Sequence, residues 1–158
     1  MAEQRISEAR MSGRVKLVAG GFLVGPLPRG AGLAWVSAIV HQSSRQENRQ
    51  LFSTVADALN DDGQILIRNV LMDNSRTSPV AGALFAIKLL VATEAGGTHT
   101  YGELRNYPEA SGFEDTTVLR RDEGIKIDSF VETPFPLKSP HLALAPGPLF
   151  LRIWGCYG

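Results

Sequence analysis

The chain has 158 residues, enough for one domain with a real core, and a composition that is 44% hydrophobic and 20% charged. Its 16 basic and 16 acidic residues cancel, and no basic stripe or charge run points to a nucleic acid or an anionic membrane surface. The longest apolar run is too short to cross a bilayer, the N-terminus lacks a signal-peptide core, and the single cysteine, Cys156, has no internal partner, so a reducing compartment, by default the cytoplasm, is expected.

Taken in chain order, Ile6 to Met11 reads as the end of a helix, and Val15 to Ala19 as a short buried strand stopped by Gly20-Gly21. A breaker-rich loop, Gly25 to Gly30, precedes the apolar strand Leu33 to Val40, which delivers His41 to its C-terminal tip. Ser44-Arg45-Gln46-Glu47 is a capping box that starts a helix, with Leu51, Phe52, Val55, Ala56 and Leu59 along one face. Asn60 to Gly63 should stop that helix. The next strand, Gln64 to Leu71, is apolar on both faces around Ile65-Leu66-Ile67, as in a parallel sheet covered by helices.

Ser78 and Pro79 suit the cap and first position of an apolar helix, and Thr100 to Glu103 is a second capping box. The helix it starts should end near Gly112, shortened by Pro108. Two late strands are expected, Thr116 to Arg120 and Ile127 to Glu132. The alternation implies an α/β sheet, mostly parallel and doubly wound, with helices on both faces. From Pro134 the composition changes. The last 25 residues are rich in proline, and their apolar end, Leu149-Phe150-Leu151 and Trp154, has no evident partner and reads as an exposed patch on a tail.

The ordered set from Arg14 to Val131 resembles the C-terminal half of the S-adenosylmethionine-dependent small-molecule O-methyltransferases, of the caffeate, acetylserotonin and hydroxyneurosporene methyltransferase type. The resemblance implies an incomplete Rossmann-like methyltransferase sheet over residues 1–133 and a non-family tail over 134–158. It implies S-adenosylmethionine as cofactor and a small hydroxyl-bearing molecule, aromatic or apolar, as partner. It also implies a parent homodimer, formed through a domain that this chain lacks.

On spacing alone, His41 reads as a strand-end histidine bonded to a loop. The resemblance makes it the general base that removes the acceptor's hydroxyl proton. Asn69 then stands where the family has an acid that orients this histidine, and it reads equally well as a polar strand residue bonded to a loop. Gly21, Phe22 and Ser37 fall at cofactor-facing positions, with Gly21 replacing an aspartate. Met72, Phe85 and Leu90 fall where an acceptor pocket is implied, although an apolar helix more often packs a core. His99 receives no role. Upstream, the family's glycine-rich turn and ribose-binding acid have no counterpart, and the strands that carry them would lie between the strands at Leu17 and Trp35. The alternative reading is a catalytically inactive fragment or an interaction module derived from the same family.

Overall fold

The computed structural model describes residues 2–121, 129–134 and 149–154. Helix α1, Ala2–Glu8, has no buried residue and closes on a Schellman motif. Arg10, at φ +55°, takes the left-handed position; its amide bonds Ser7 O, and the Met11 amide bonds Ile6 O. The helix thus ends within the span expected for its end, three residues short of Met11. Residues Val15 to Ala19, expected as a buried strand, are irregular and exposed. The segment has no neighbouring strand among the described residues and stays at the surface, with Leu17 48% and Val18 59% exposed.

Strands β1 (Ala31–Ser37) and β2 (Leu59–Asn69) are parallel neighbours, joined through helix α2 (Arg45–Ala58). Both halves of the Ser44/Glu47 capping box form, and α2 buries Leu51, Phe52, Val55 and Ala58 along its apolar stripe. The helix stops at Ala58, but Asn60 to Gly63 are not a separate turn. They form an irregularity within β2: Ala31 pairs with Leu59, and the next pair is Leu33 with Gln64. Gly63 is required there, because a Cβ would stand 2.8 Å from the Leu59 Cβ.

Beyond β2 come the short strand β3 (Leu71–Met72), helix α3 (Val80–Ala92), the short strand β4 (His99–Thr100) and helix α4 (Tyr101–Ala110). Strands β3 and β4 pair in parallel as a separate two-stranded sheet. Helix α4 begins on the expected capping box and ends two residues after Pro108, whose carbonyl accepts from the Ser111 and Phe113 amides. The core cluster joins Ala34, Val36 and Ile39 to Ile65 and Ile67, to Phe52 and Val55 of α2, and to Leu104 and Tyr107 of α4.

The two late strands form as β5 (Thr117–Arg121) and β6 (Ser129–Pro134), which extend the sheet antiparallel beyond β2. The tail differs from expectation. Its apolar end is β7 (Leu149–Trp154), parallel to β1 with Leu33 opposite Phe150 and Ser37 opposite Trp154. The apolar run therefore has a partner after all: it takes the open edge of the first strand, and the sheet order is β5-β6-β2-β1-β7. The proline-rich stretch 135–148, and residues 155–158 with Cys156, lie outside the described residues.

Strand β7 is the pairing partner on this side of β1, so deletion of residues 135–158 should broaden and lower the thermal unfolding transition. Circular dichroism melts of the full and truncated chains check this. An unchanged, sharp transition would mean that β1 holds without β7.

Candidate functional site

The site lies beyond the C-terminal ends of β1 and β2, where parallel sheets present their ligands. Strand β1 does not run on to the histidine. It stops at Ser37, and Ala38 takes φ +56°, a left-handed conformation costly for a residue with a side chain. The Ala38 amide still bonds Arg68 O at 3.1 Å, so the chain turns while tethered to β2. One 3-10 turn, Val40–Gln42, then carries His41 inward, leaving it 3% exposed.

His41 Nδ1 lies 2.7 Å from Oδ1 of Asn69, the last residue of β2. An amide oxygen only accepts, so Nδ1 carries the proton and Nε2 keeps its lone pair. Burial holds the imidazole below its ordinary pKa of 6.5, and the Asn69 bond opposes that shift. The ring is therefore neutral near pH 7, the form in which a histidine can accept a proton. Asn69 Nδ2 is buried without a hydrogen-bond partner among the described residues, which typically costs about 1–3 kcal/mol.

Two further contacts fix the histidine. The Gly97 amide donates to His41 O at 2.9 Å. The neighbouring Gly96 passes so close that a Cβ would stand 2.5 Å from the same oxygen and 3.2 Å from Gln42 O. The Phe85 ring of α3 meets the imidazole edge-on, centroids 4.9 Å apart and planes at 80°. From the sequence alone, Gly96-Gly97 had no role of its own. The doubled glycine was the available signal for a close backbone approach, but its target 55 residues earlier, His41, was not readable.

The other expected positions are spread. Ser37 is buried between Arg68 and Trp154, its register partners on β2 and β7. Gly21 lies exposed in a turn closed by the Val24 amide, and Phe22 packs against the core cluster. Of the implied acceptor-pocket residues, Phe85 reaches His41. Met72 is buried against Gly82, and Leu90 is 79% exposed.

His99, left without a role by the sequence, is a second buried histidine beside the first. Its Nε2 lies 3.2 Å from the Tyr107 hydroxyl, and desolvation lowers its pKa to about 4. It lines a cavity of about 370 Å³ together with Ser43, Arg45, Arg76, Ala86 and Gly97. At the rim, Glu103 Oε1 accepts from Arg45 at 2.7 Å and from Arg76 at 2.5 Å, while Oε2 accepts from the Thr100 amide. Burial opposes ionisation of Glu103, but those donors outweigh it and hold the carboxyl at about 2.

Both histidines have folded-state pKa values below the unfolded value, so the folded state binds fewer protons than the unfolded chain. Their contribution is present above pH 6.5 and is lost as the pH falls toward 4, by roughly 3 kcal/mol for His99 at full protonation. Urea denaturation at pH 7 and 4.5 should show this loss, and His99→Gln should remove most of its own share. A variant as acid-sensitive as the wild type would contradict the assignment.

Sequence comparison finds that the O-methyltransferase domain family model matches residues 1–114. A 3-hydroxy-5-methyl-1-naphthoate 3-O-methyltransferase of Streptomyces sahachiroi is 32% identical over 120 residues, covering 76% of this chain and 34% of that protein. The chain thus spans about a third of the length of this curated relative. Among solved structures, the S-adenosylmethionine-dependent methyltransferase SibL superposes with a TM-score of 0.75 at 22% identity, over 85% of this chain and 40% of its own. Human N-acetylserotonin methyltransferase, solved with S-adenosylmethionine, gives 0.68 at 18% identity, over 85% of this chain and 44% of its own.

Proposed function

Because the chain belongs to the O-methyltransferase domain family, we propose that it forms the acceptor-activating part of a small-molecule O-methyltransferase, with His41 as general base. The observation that carries this reading is the buried His41–Asn69 pair at the ends of adjacent parallel strands. The family's methyl donor is S-adenosylmethionine, and SibL and the human enzyme are both described as using or holding it. The acceptor is a small molecule bearing a hydroxyl, with the hydroxynaphthoate of the Streptomyces enzyme as one guide to its chemistry.

The described residues do not assemble a site for the donor. Gly21 offers no carboxylate, Phe22 is taken up by the core, and neither β1 nor β2 runs into a glycine-rich turn. The base side is complete in outline. An acceptor hydroxyl, with a phenolic pKa near 10, is a weak nucleophile until its proton leaves. That proton moves to His41 Nε2 as the oxygen begins to bond. The Asn69 oxygen holds the Nδ1–H throughout and so keeps Nε2 pointed away from it. Asn69 lacks the negative charge that would stabilise the imidazolium. The pair is built to orient the base more than to strengthen it.

The same features of Gly21 and Phe22 favour a second reading, a non-catalytic module that keeps the family's sheet. Methyl transfer to hydroxynaphthoates separates the two. If the first holds, His41→Ala lowers the rate constant at saturating donor and acceptor by ~10²–10⁴-fold, while Asn69→Asp preserves or raises it. A His41→Ala rate equal to wild type removes His41 from the mechanism. No transfer by the wild-type protein favours the module.

A further inference from the structure

Helix α3 is apolar on both faces, and the domain takes up one of them. Gly82 and Leu89 are buried, and Phe85 meets His41. A Cβ on Gly82 would stand 2.5 Å from the Met72 sulfur, so this inner face lies tight against β3. The outer face keeps Val80, Leu84, Ile87, Leu90 and Val91, each between 61% and 85% exposed. We propose that the outer face is a self-association surface: α3 pairs antiparallel with α3 of a second copy, about a two-fold axis between Leu84 and Ile87. The pairing is separate from the parent homodimer that the family resemblance implies, which forms through another domain.

The pattern itself points to a second copy. Val80, Leu84, Ile87 and Val91 are spaced four, three and four residues apart, the alternation of a coiled-coil seam. Spacing and side-chain size read the same from either end: Val, Leu, Ile, Val. About the two-fold axis, Val80 meets Val91 of the second copy, and Leu84 meets its Ile87. That is the self-complementarity an isologous interface requires. Ala81 and Ala83 flank the stripe and let the helices approach. Lys88, the charged residue of α3, falls opposite the Ala81–Ala83 end of the second copy and not opposite its own equivalent.

Charge favours the same orientation. Helix α3 has no acidic residue in its first turn and no basic residue in its last, so its own side chains do not compensate its dipole. Antiparallel pairing sets its positive end beside the negative end of the second copy. It also brings the end preceded by Arg76 next to the end followed by Glu94, where parallel pairing would put like charges together.

The area sets the strength. At roughly 100 Å² apiece, the five side chains make a patch of about 500 Å², a size that is often functional on a monomer. Two copies together remove about 1,000 Å² from water, the lower bound for a specific interface. The dimer is therefore of the weak class, dissociating in the micromolar range.

Sedimentation velocity on the full chain, between about 5 and 500 μM, is the test. The mass should rise with concentration from 17.1 kDa toward twice that value. Leu84→Glu and Ile87→Lys should each be monomeric alone, because each sets a charge against an apolar partner. Mixed in equal amounts they should associate again, since the introduced carboxylate of one then faces the introduced ammonium of the other. Val91→Glu, at the end of the stripe and 85% exposed, gives an independent reading. It should weaken association at least about tenfold with the circular dichroism spectrum unchanged. A wild-type chain monomeric at the highest concentration would overturn the proposal, whether the face is bare or another part of the chain covers it. So would association that survives both Leu84→Glu and Val91→Glu, which places the contact elsewhere. Failure of the mixture to associate would overturn the antiparallel pairing.

Discussion

The parallel register of β1 on β2 is the constraint on which the site depends. Ser37 lies opposite Arg68, so the two strands finish at the same level, and the next residue of β2 is Asn69. A slip of one residue would turn every β2 side chain to the opposite face, and Asn69 would no longer meet His41. The register is held by burial: Ala34, Val36, Ile65 and Ile67 are all fully buried, so a slipped ladder would expose part of the core. The four-residue irregularity at Asn60 to Gly63 absorbs the excess length of β2 at the far end, leaving the functional end regular.

Electrostatics at the site follow from the same burial. Two histidines, 3% and 4% exposed, stay neutral because water cannot reach them well enough to stabilise a charge. Among the described residues, charge gathers at the rim, where two arginines share one carboxylate oxygen of Glu103. That carboxylate also caps α4, so a single side chain joins the start of α2, the loop before α3 and the start of α4. His41 thus sits buried inside a charged frame.

Local chemistry made much of the fold legible. Both capping boxes name their helices to the residue, because an N-cap is a short-range hydrogen bond written in four positions. The strand after Gly63 was equally clear from its doubly apolar run. What failed was non-local. Val15 to Ala19 has the composition of a strand but no neighbour, and composition cannot report a missing partner. Leu149 to Trp154 has a neighbour that proline density around it concealed. At the site, His41 and Asn69 were found through family likeness, and their 2.7 Å contact is consistent with that reading. The edge-on ring of Phe85 and the close pass of Gly96 depend on how α3 and the following segment dock, which no spacing encodes.

The pairing of β7 with β1 joins segments separated by more than a hundred residues. During synthesis β1, α2 and β2 emerge together and can associate at once, but one side of β1 must wait for nearly the whole of the remaining chain. Contacts of such long sequence separation slow folding, and until they form the strand presents an unpaired ladder to any neighbour in the cell. The interval between making β1 and making β7 is therefore the period in which this edge is open to wrong pairing.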